Sequence, residues 1–288
     1  MLRSLERFRT SYLDVVFCRD VEFVSREEAV AAVGTLFALV DEGKIKQVGI
    51  SGYNIEVLIE VLREARQRFG RSISVVQTWA QLTRSNAKLL TQGLAAFKEL
   101  GVSTICASSP LAIGLLRDGG VPVGTLGDWH PAPPGLRERA ADVALRTQQR
   151  GHSLASLAVR YAVDTAMQNS TTDLSMSTVV GVSTMSDLEY NAKSAQQVFH
   201  RRSIFGMPSH TMTDMYVDDA EDEKISAAKD QELYADVREQ FGEWVDYDFC
   251  EQGIVVSQTR QMGEQSRPRA DHCNATWNPK QDDGLFQA

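Results

Sequence analysis

The sequence has 288 residues, with 30 Lys and Arg against 38 Asp and Glu, a net charge of −8 and a pI near 5.2. Its 43 % apolar and 24 % charged residues are those of an ordinary globular chain, long enough to bury a sizeable core. A net acidic chain is poorly suited to phosphate backbones, no run approaches the ~20 apolar residues of a membrane helix, and the charged N-terminus lacks the apolar stretch of a secretory signal. Nucleic acid and membrane are therefore excluded as expected partners. Cysteines 18, 106, 250 and 273 have no paired spacing. They predict neither disulfides nor a zinc site and fit a reducing, cytoplasmic compartment. The charge is uneven: residues 200–288 hold 18 acidic against 9 basic side chains, with an acidic run at Asp214–Glu223 that reads as a solvated face.

In chain order, the amphipathic stretch Leu2–Phe8 precedes the apolar run Leu13–Cys18. Arg26–Asp41 is a predicted helix, with Ser25 and Glu28 in capping-box spacing and Gly43 beyond its end. Gln47–Ser51 is strand-like, Glu56–Arg68 helical up to Gly70, and Ile73–Gln77 a β-branched strand. Ala87–Leu100 reads as a helix, Val102–Ala107 as a strand, and Leu136–Arg150 and Leu154–Val163 as two helices. Thr178–Gly181 is strand-like, and Ser186–Val198 is helical with Ser186 and Glu189 as a second capping box. Residues 251–288 have no clear periodicity beyond Gly253–Ser257 and read as a poorly ordered tail.

Short apolar runs alternating with helices predict an α/β fold with a parallel sheet, in five strand–helix units. An open doubly wound sheet and part of a (β/α)8 barrel both satisfy that pattern. The absence of a G-x-G-x-x-G or Walker sequence after any strand removes the strongest marker of the doubly wound nucleotide folds. No histidine pairs with Cys, Asp or Glu at metal-ligand spacing, and no G-x-S-x-G elbow is present.

Several strand ends form an ordered set. They are Leu13-Asp14-Val15-Val16, Gln47-Val48-Gly49-Ile50-Ser51, Val75-Val76-Gln77, Ser108-Ser109-Pro110-Leu111 and Val179-Val180-Gly181-Val182. This set resembles the aldo-keto reductase family. Asp20-Val21-Glu22-Phe23, Gln77-Thr78-Trp79 and Gly242–Tyr247 resemble its D-arabinose/L-galactose dehydrogenase branch. The resemblance implies a (β/α)8 barrel with chemistry at the C-terminal strand ends. It aligns the first strand here with the family's fourth, so that strand–helix units 4–8 are expected: an incomplete barrel, N-terminally truncated. The expected organisation is an oxidoreductase domain at 1–199, a linker and C-terminal helix at 200–250, and a tail at 251–288.

The implied activity is hydride transfer between NAD(P) and a sugar-like aldehyde, alcohol or related carbonyl. The family's Asp, Tyr and Lys belong to the first three units, and its His falls at Arg19, which cannot shuttle protons near neutral pH. Impaired turnover follows. For the cofactor, the resemblance assigns Gln77 to the nicotinamide carboxamide with Ser51 beside it. Ser108 falls where an aromatic usually stacks. Ser109, Leu111 and Ile113 line the pyrophosphate loop, with Gly181, Val182 and Asn191 towards the adenine end. Asp187 near that loop favours NAD over NADP. Trp129-His130-Pro131 falls in a Gly/Pro-rich loop that covers the cofactor in the family. The alternatives are a non-catalytic remnant that binds nucleotide or a partner protein, and a truncated gene product. Five strands do not close an eight-stranded barrel, so self-association through open edges is expected, with Val15, Phe17, Ile50, Val76 and Ile105 open to water.

Overall fold

The computed structural model describes residues 2–122, 124, 127–128, 130–204 and 227–249. Asp214–Glu223, the 251–288 tail with its Gly253–Ser257 run, Trp129, Cys250 and Cys273 lie outside the described residues. The chain divides into two units, 1–248 and 249–288, and the fold below is that of the first.

The elements are α1 (Leu2–Phe8), β1 (Leu13–Arg19), α2 (Arg26–Asp41), β2 (Ile45–Gly52), α3 (Ile55–Phe69), β3 (Val75–Trp79), α4 (Leu94–Glu99), β4 (Thr104–Ser108), α5 (Pro134–Gln149), α6 (Leu154–Asn169), β5 (Ser175–Val179), α7 (Met185–Ile204) and α8 (Ala227–Gln240). All four strand pairings are parallel, in the order β1-β2-β3-β4-β5. A doubly wound sheet reverses its strand order part-way. This one advances in a single direction, which is barrel winding, and five strands make it an incomplete barrel with α8 as a helical C-terminal extension.

Local chemistry sets the helix ends. Ser25 Oγ accepts the N–H of Glu28, whose carboxylate accepts the N–H of Ser25, the reciprocal box read from the sequence. Asn54 Oδ1 accepts the N–H of Glu56 and Val57 to start α3, and Gly70 ends it at φ 64°, where a Cβ would be strained. Two expectations shift. The helix expected over Ala87–Leu100 opens as a π turn at Leu89–Gly93, where the missing Cβ of Gly93 lets Leu89, Ile55 and Phe97 close in. The second capping box falls two residues earlier than expected. Thr184 Oγ1 accepts the N–H of Asp187, and the Asp187 carboxylate accepts those of Ser183 and Thr184. Aspartate fills the N3 role, so α7 begins at Met185.

The last strand also moves, from the expected Thr178–Gly181 to Ser175–Val179. Serines at 175 and 177 hide it from an apolar scan, whereas Leu174 and Met176 are buried in alternation. Gly181 and Val182 are therefore beyond the strand.

The two faces of the sheet differ, and this corrects the expected open face. Paired residues share a face, so Cys18, Ile50, Val76, Ile105 and Met176 form one row. Ile50, Val76 and Ile105 are fully buried. They form the core under the helices and are not open to water. Val15 and Phe17 point the other way, where Phe17 lies over Gly49 with no room for a Cβ. The bare face carries polar Gln47, Ser51, Gln77, Thr104, Ser175 and Ser177 beside apolar Val15, Phe17, Ile45 and Val75.

The segment 230–248 is tied down by ions. Arg160 and Asp230, both nearly inaccessible, form a two-pronged pair at 3.0 and 3.1 Å, and Tyr234 Oη donates to the same carboxylate. Asp246 bridges the loop after β3: its N–H donates to Ser85 O, and its carboxylate accepts from Ala87 N–H and from Arg238.

Candidate functional site

β1, β2 and β3 end side by side, and three inward residues near those ends sit in adjacent register: Arg19 opposite Ser51, and Ser51 opposite Gln77. At the ~4.8 Å spacing of neighbouring strands, the three side chains span about 10 Å of the bare face. Two residues further on, with the same parity, stand Tyr53 and Trp79. Their rings meet edge-on at 4.7 Å, and Phe23 packs on Tyr53 at 5.8 Å. The result is a rim with one cation, two uncharged polar groups and an aromatic wall.

Arg19 is 76 % exposed at the side chain, with Nε 3.3 Å from Asp20. The Asp20 charge raises its pKa first, and the nearby Tyr53 phenol adds to that. Burial pushes Tyr53 up from its ordinary value, against the pull of Arg19. Glu22 points the other way: Oε1 accepts the N–H of Tyr53 and, at 3.1 Å, that of Asn54. Its Oε2 is buried against Gly52, where a Cβ would collide with it. Burial raises the Glu22 pKa, with the backbone hydrogen bonds opposing. Glu22 thus fixes the backbone turn that carries Tyr53.

The β4–β5 side is different. Ser108 Oγ donates to Thr78 O at 2.6 Å. Ser109 takes φ 61°, and its Oγ accepts the N–H of Ile113 at 2.9 Å. Ala112 and Ile113 are also left-handed, a strained position for a β-branched residue. His130, 3 % exposed, secures this loop: Nδ1 accepts the N–H of Ala132, so Nε2 carries the proton and donates to Ala112 O at 3.2 Å. Burial lowers its pKa to about 4. Gly181 and Val182 are exposed, and Leu111, Ile113 and Asn191 are half-buried. Tyr190 Oη donates to Ser153 Oγ, the N-cap of α6.

These contacts test the fit of a dinucleotide. Ser51 and Gln77, adjacent on an open face, suit a nicotinamide carboxamide. The donors expected for the phosphates do not: Ile113 N–H is taken by Ser109, and the N–H groups of Ser183 and Thr184 are taken by Asp187. Hydrogen bonding to Ser183 lowers the Asp187 pKa, so a negative charge already occupies the start of α7. Among the described residues, no group of three His, Cys, Asp or Glu could hold a metal ion, and no helix is long and apolar enough to cross a membrane.

The sequence reading missed Tyr53 as part of the site and quoted Trp79 only as a likeness. Alternation places Trp79, two residues beyond Gln77 on β3, and Tyr53 follows Ser51 in the turn just past β2.

Residues 1–205 match the Aldo/keto reductase family, and the chain belongs to it. It is 29 % identical over 213 residues to an L-galactose dehydrogenase of Arabidopsis thaliana, covering 74 % of this chain and 60 % of that one. It is 33 % identical over 190 residues to a D-arabinose 1-dehydrogenase of Saccharomyces cerevisiae, covering 65 % and 53 %. The chain thus spans a little over half the length of both relatives. A crystal structure of an aldo/keto reductase from Brucella melitensis is similar at 15 % identity and a TM-score of 0.43, covering 82 % of this chain and 64 % of that one.

Proposed function

We propose that the chain is an aldo-keto-reductase-like oxidoreductase that holds a nicotinamide cofactor and a sugar-like carbonyl or alcohol at the β1–β3 rim. The observation that carries this is the adjacent Arg19–Ser51–Gln77 row on the bare face of a singly wound sheet, in a chain of this family. Ser51 and Gln77 hold the carboxamide; Ser108, Ser109, Leu111, Ile113, Gly181, Val182 and Asn191 lie along the path to the adenine. The bound cofactor supplies the hydride. Asp187 at the start of α7 favours NAD over NADP, because a 2′-phosphate meets a carboxylate there. Arg19 stands at the family's His position and orients a carbonyl by charge without relaying a proton. With arginine at that position, turnover at this rim is slow.

The self-satisfied hydrogen bonds of Ser108, Ser109 and Asp187 favour a second reading, a non-catalytic barrel remnant. Edge strand β5 supports self-association within either reading, since Val179, Val182, Met185 and Leu188 are all exposed near it. Steady-state assays with D-arabinose and L-galactose and either NAD+ or NADP+, beside an NADH fluorescence titration, separate the two. NADH binding with slow turnover supports the first reading. Undetectable NADH binding overturns it.

A further inference from the structure

We propose that the chain pairs with a second copy of itself along α7, in a two-fold, antiparallel interface beside the open β5 edge. This deepens the self-association named above and does not depend on what the rim binds. α7 has three faces. One turns to α6: Ser194 and Val198 are buried, Ser194 Oγ lies 2.9 Å from Ser156 Oγ, and Gln197 accepts from Arg160 at 3.2 Å. Glu189, Lys193 and Gln196 form a polar face. Between the two runs an apolar stripe, Met185, Leu188, Ala192, Ala195 and Phe199, at the alternating three- and four-residue spacing of a helix–helix seam. Met185 is 69 % exposed, and Leu188 and Phe199 nearly half. A seam left this bare marks a contact surface.

Three observations select a second copy as the occupant. The stripe is complementary to its own reversal. Turned end for end about Ala192, Met185 meets Phe199, Leu188 meets Ala195, and the two Ala192 side chains are small enough for close approach of the helices. The stretch from Leu174 to Ser186 holds no charged residue, so β5 and the start of α7 carry nothing that repels a like surface. The opposite edge differs: β1 carries an exposed Asp14, paired with Lys46 at 2.7 Å, and an exposed Arg19, which disfavours head-to-tail pairing of β5 with β1. Size is the third. Four turns of helix, with exposed Val179 and Val182 at their start, cover on the order of 500–600 Å2 per copy, at the lower end of specific interfaces, which fits a reversible dimer.

The test is sedimentation velocity of the full chain over a wide range of concentration. A reversible monomer–dimer equilibrium is expected. Leu188→Glu and Phe199→Glu each raise the dissociation constant about tenfold or more, because a carboxylate is then buried in an apolar seam. Val24→Glu, at an exposed position after β1, leaves it unchanged. Circular dichroism of the three variants at low concentration is expected to match the unaltered chain, since all three side chains are exposed. Oxidative cross-linking reads the orientation. Ala192→Cys forms a covalent dimer beyond the level of the unaltered chain. Met185→Cys does not, because its two copies lie about 20 Å apart at a rise of ~1.5 Å per residue. A monomer at every concentration, larger open-ended assemblies, a dimer indifferent to both glutamates, or cross-linking through Met185→Cys each overturns the proposal. An NADH titration in parallel keeps the two readings apart. Dimerisation without NADH binding sinks the oxidoreductase reading alone, and NADH binding by a monomer sinks this one alone.

Discussion

The two ends of the rim use similar residue types to opposite effect. On β1–β3, Ser51 and Gln77 project from strand backbones whose own hydrogen bonds are made by the ladder, leaving the side chains available, while Arg19 pairs with the Asp20 carboxylate. On β4–β5, Ser108, Ser109 and Asp187 sit at strand and helix ends, where orphan backbone groups are abundant, and they bind those groups instead. A hydroxyl or carboxylate beside a chain end is drawn into holding the chain together. The Ser51 and Gln77 side chains hold no such backbone group and stay free for a ligand. That difference makes the β4–β5 side structural and the β1–β3 side receptive, and substitutions should sort accordingly.

The largest expected effect falls on the structural side. His130→Ala removes an acceptor from Ala132 and a donor from Ala112 in a buried loop, and is expected to cost about 2–4 kcal/mol in chemical denaturation. The same residue gives a pH signature. Its folded pKa, near 4, lies below the unfolded value of 6.5, so the unfolded chain takes up the proton first. The stability from neutral His130 is complete above pH 6.5 and is lost as pH falls towards 4, by roughly 2–3 kcal/mol. Melting curves over that range should lose this slope in His130→Ala.

Glu22→Gln is expected to act in the other direction. Burial raises the Glu22 pKa, so ionising it costs the folded state above the ordinary carboxylate range. The amide keeps an acceptor for Asn54 and carries no charge, giving a gain in stability at pH 7 that fades as pH falls into the ordinary carboxylate range. Asp187→Asn sharpens the contrast by opening the structural side: the melting temperature falls slightly, and NADP+ affinity rises about two- to fivefold. The smallest effect on folding belongs to Ser51→Ala on the bare strand face, expected to change stability by less than about 0.5 kcal/mol while weakening NADH binding. A loss of stability there comparable to that of His130→Ala would erase the distinction between the two sides.

The helices were legible because their signals are local: the Ser25–Glu28 box and Gly70 each act within a few residues. The strands were legible where the buried row is apolar, as at Ile50 and Val76, and less so at β5, where serines face outwards. Face assignment failed for Ile50, Val76 and Ile105 because it depends on the register between strands, which no single strand's sequence carries. The Tyr53–Trp79 ring contact was illegible for the same reason: it joins residues 26 apart through the β2–β3 register. The capping role of Asp187 was hidden by a nearby Ser186–Glu189 pair of equally good spacing.

The most direct test is an NADH fluorescence titration of the unaltered chain and of Gln77→Ala, with melting temperatures taken on the same samples. The account expects saturable binding that weakens about tenfold in Gln77→Ala with little change in melting. Undetectable binding, or an affinity indifferent to Gln77, would contradict it.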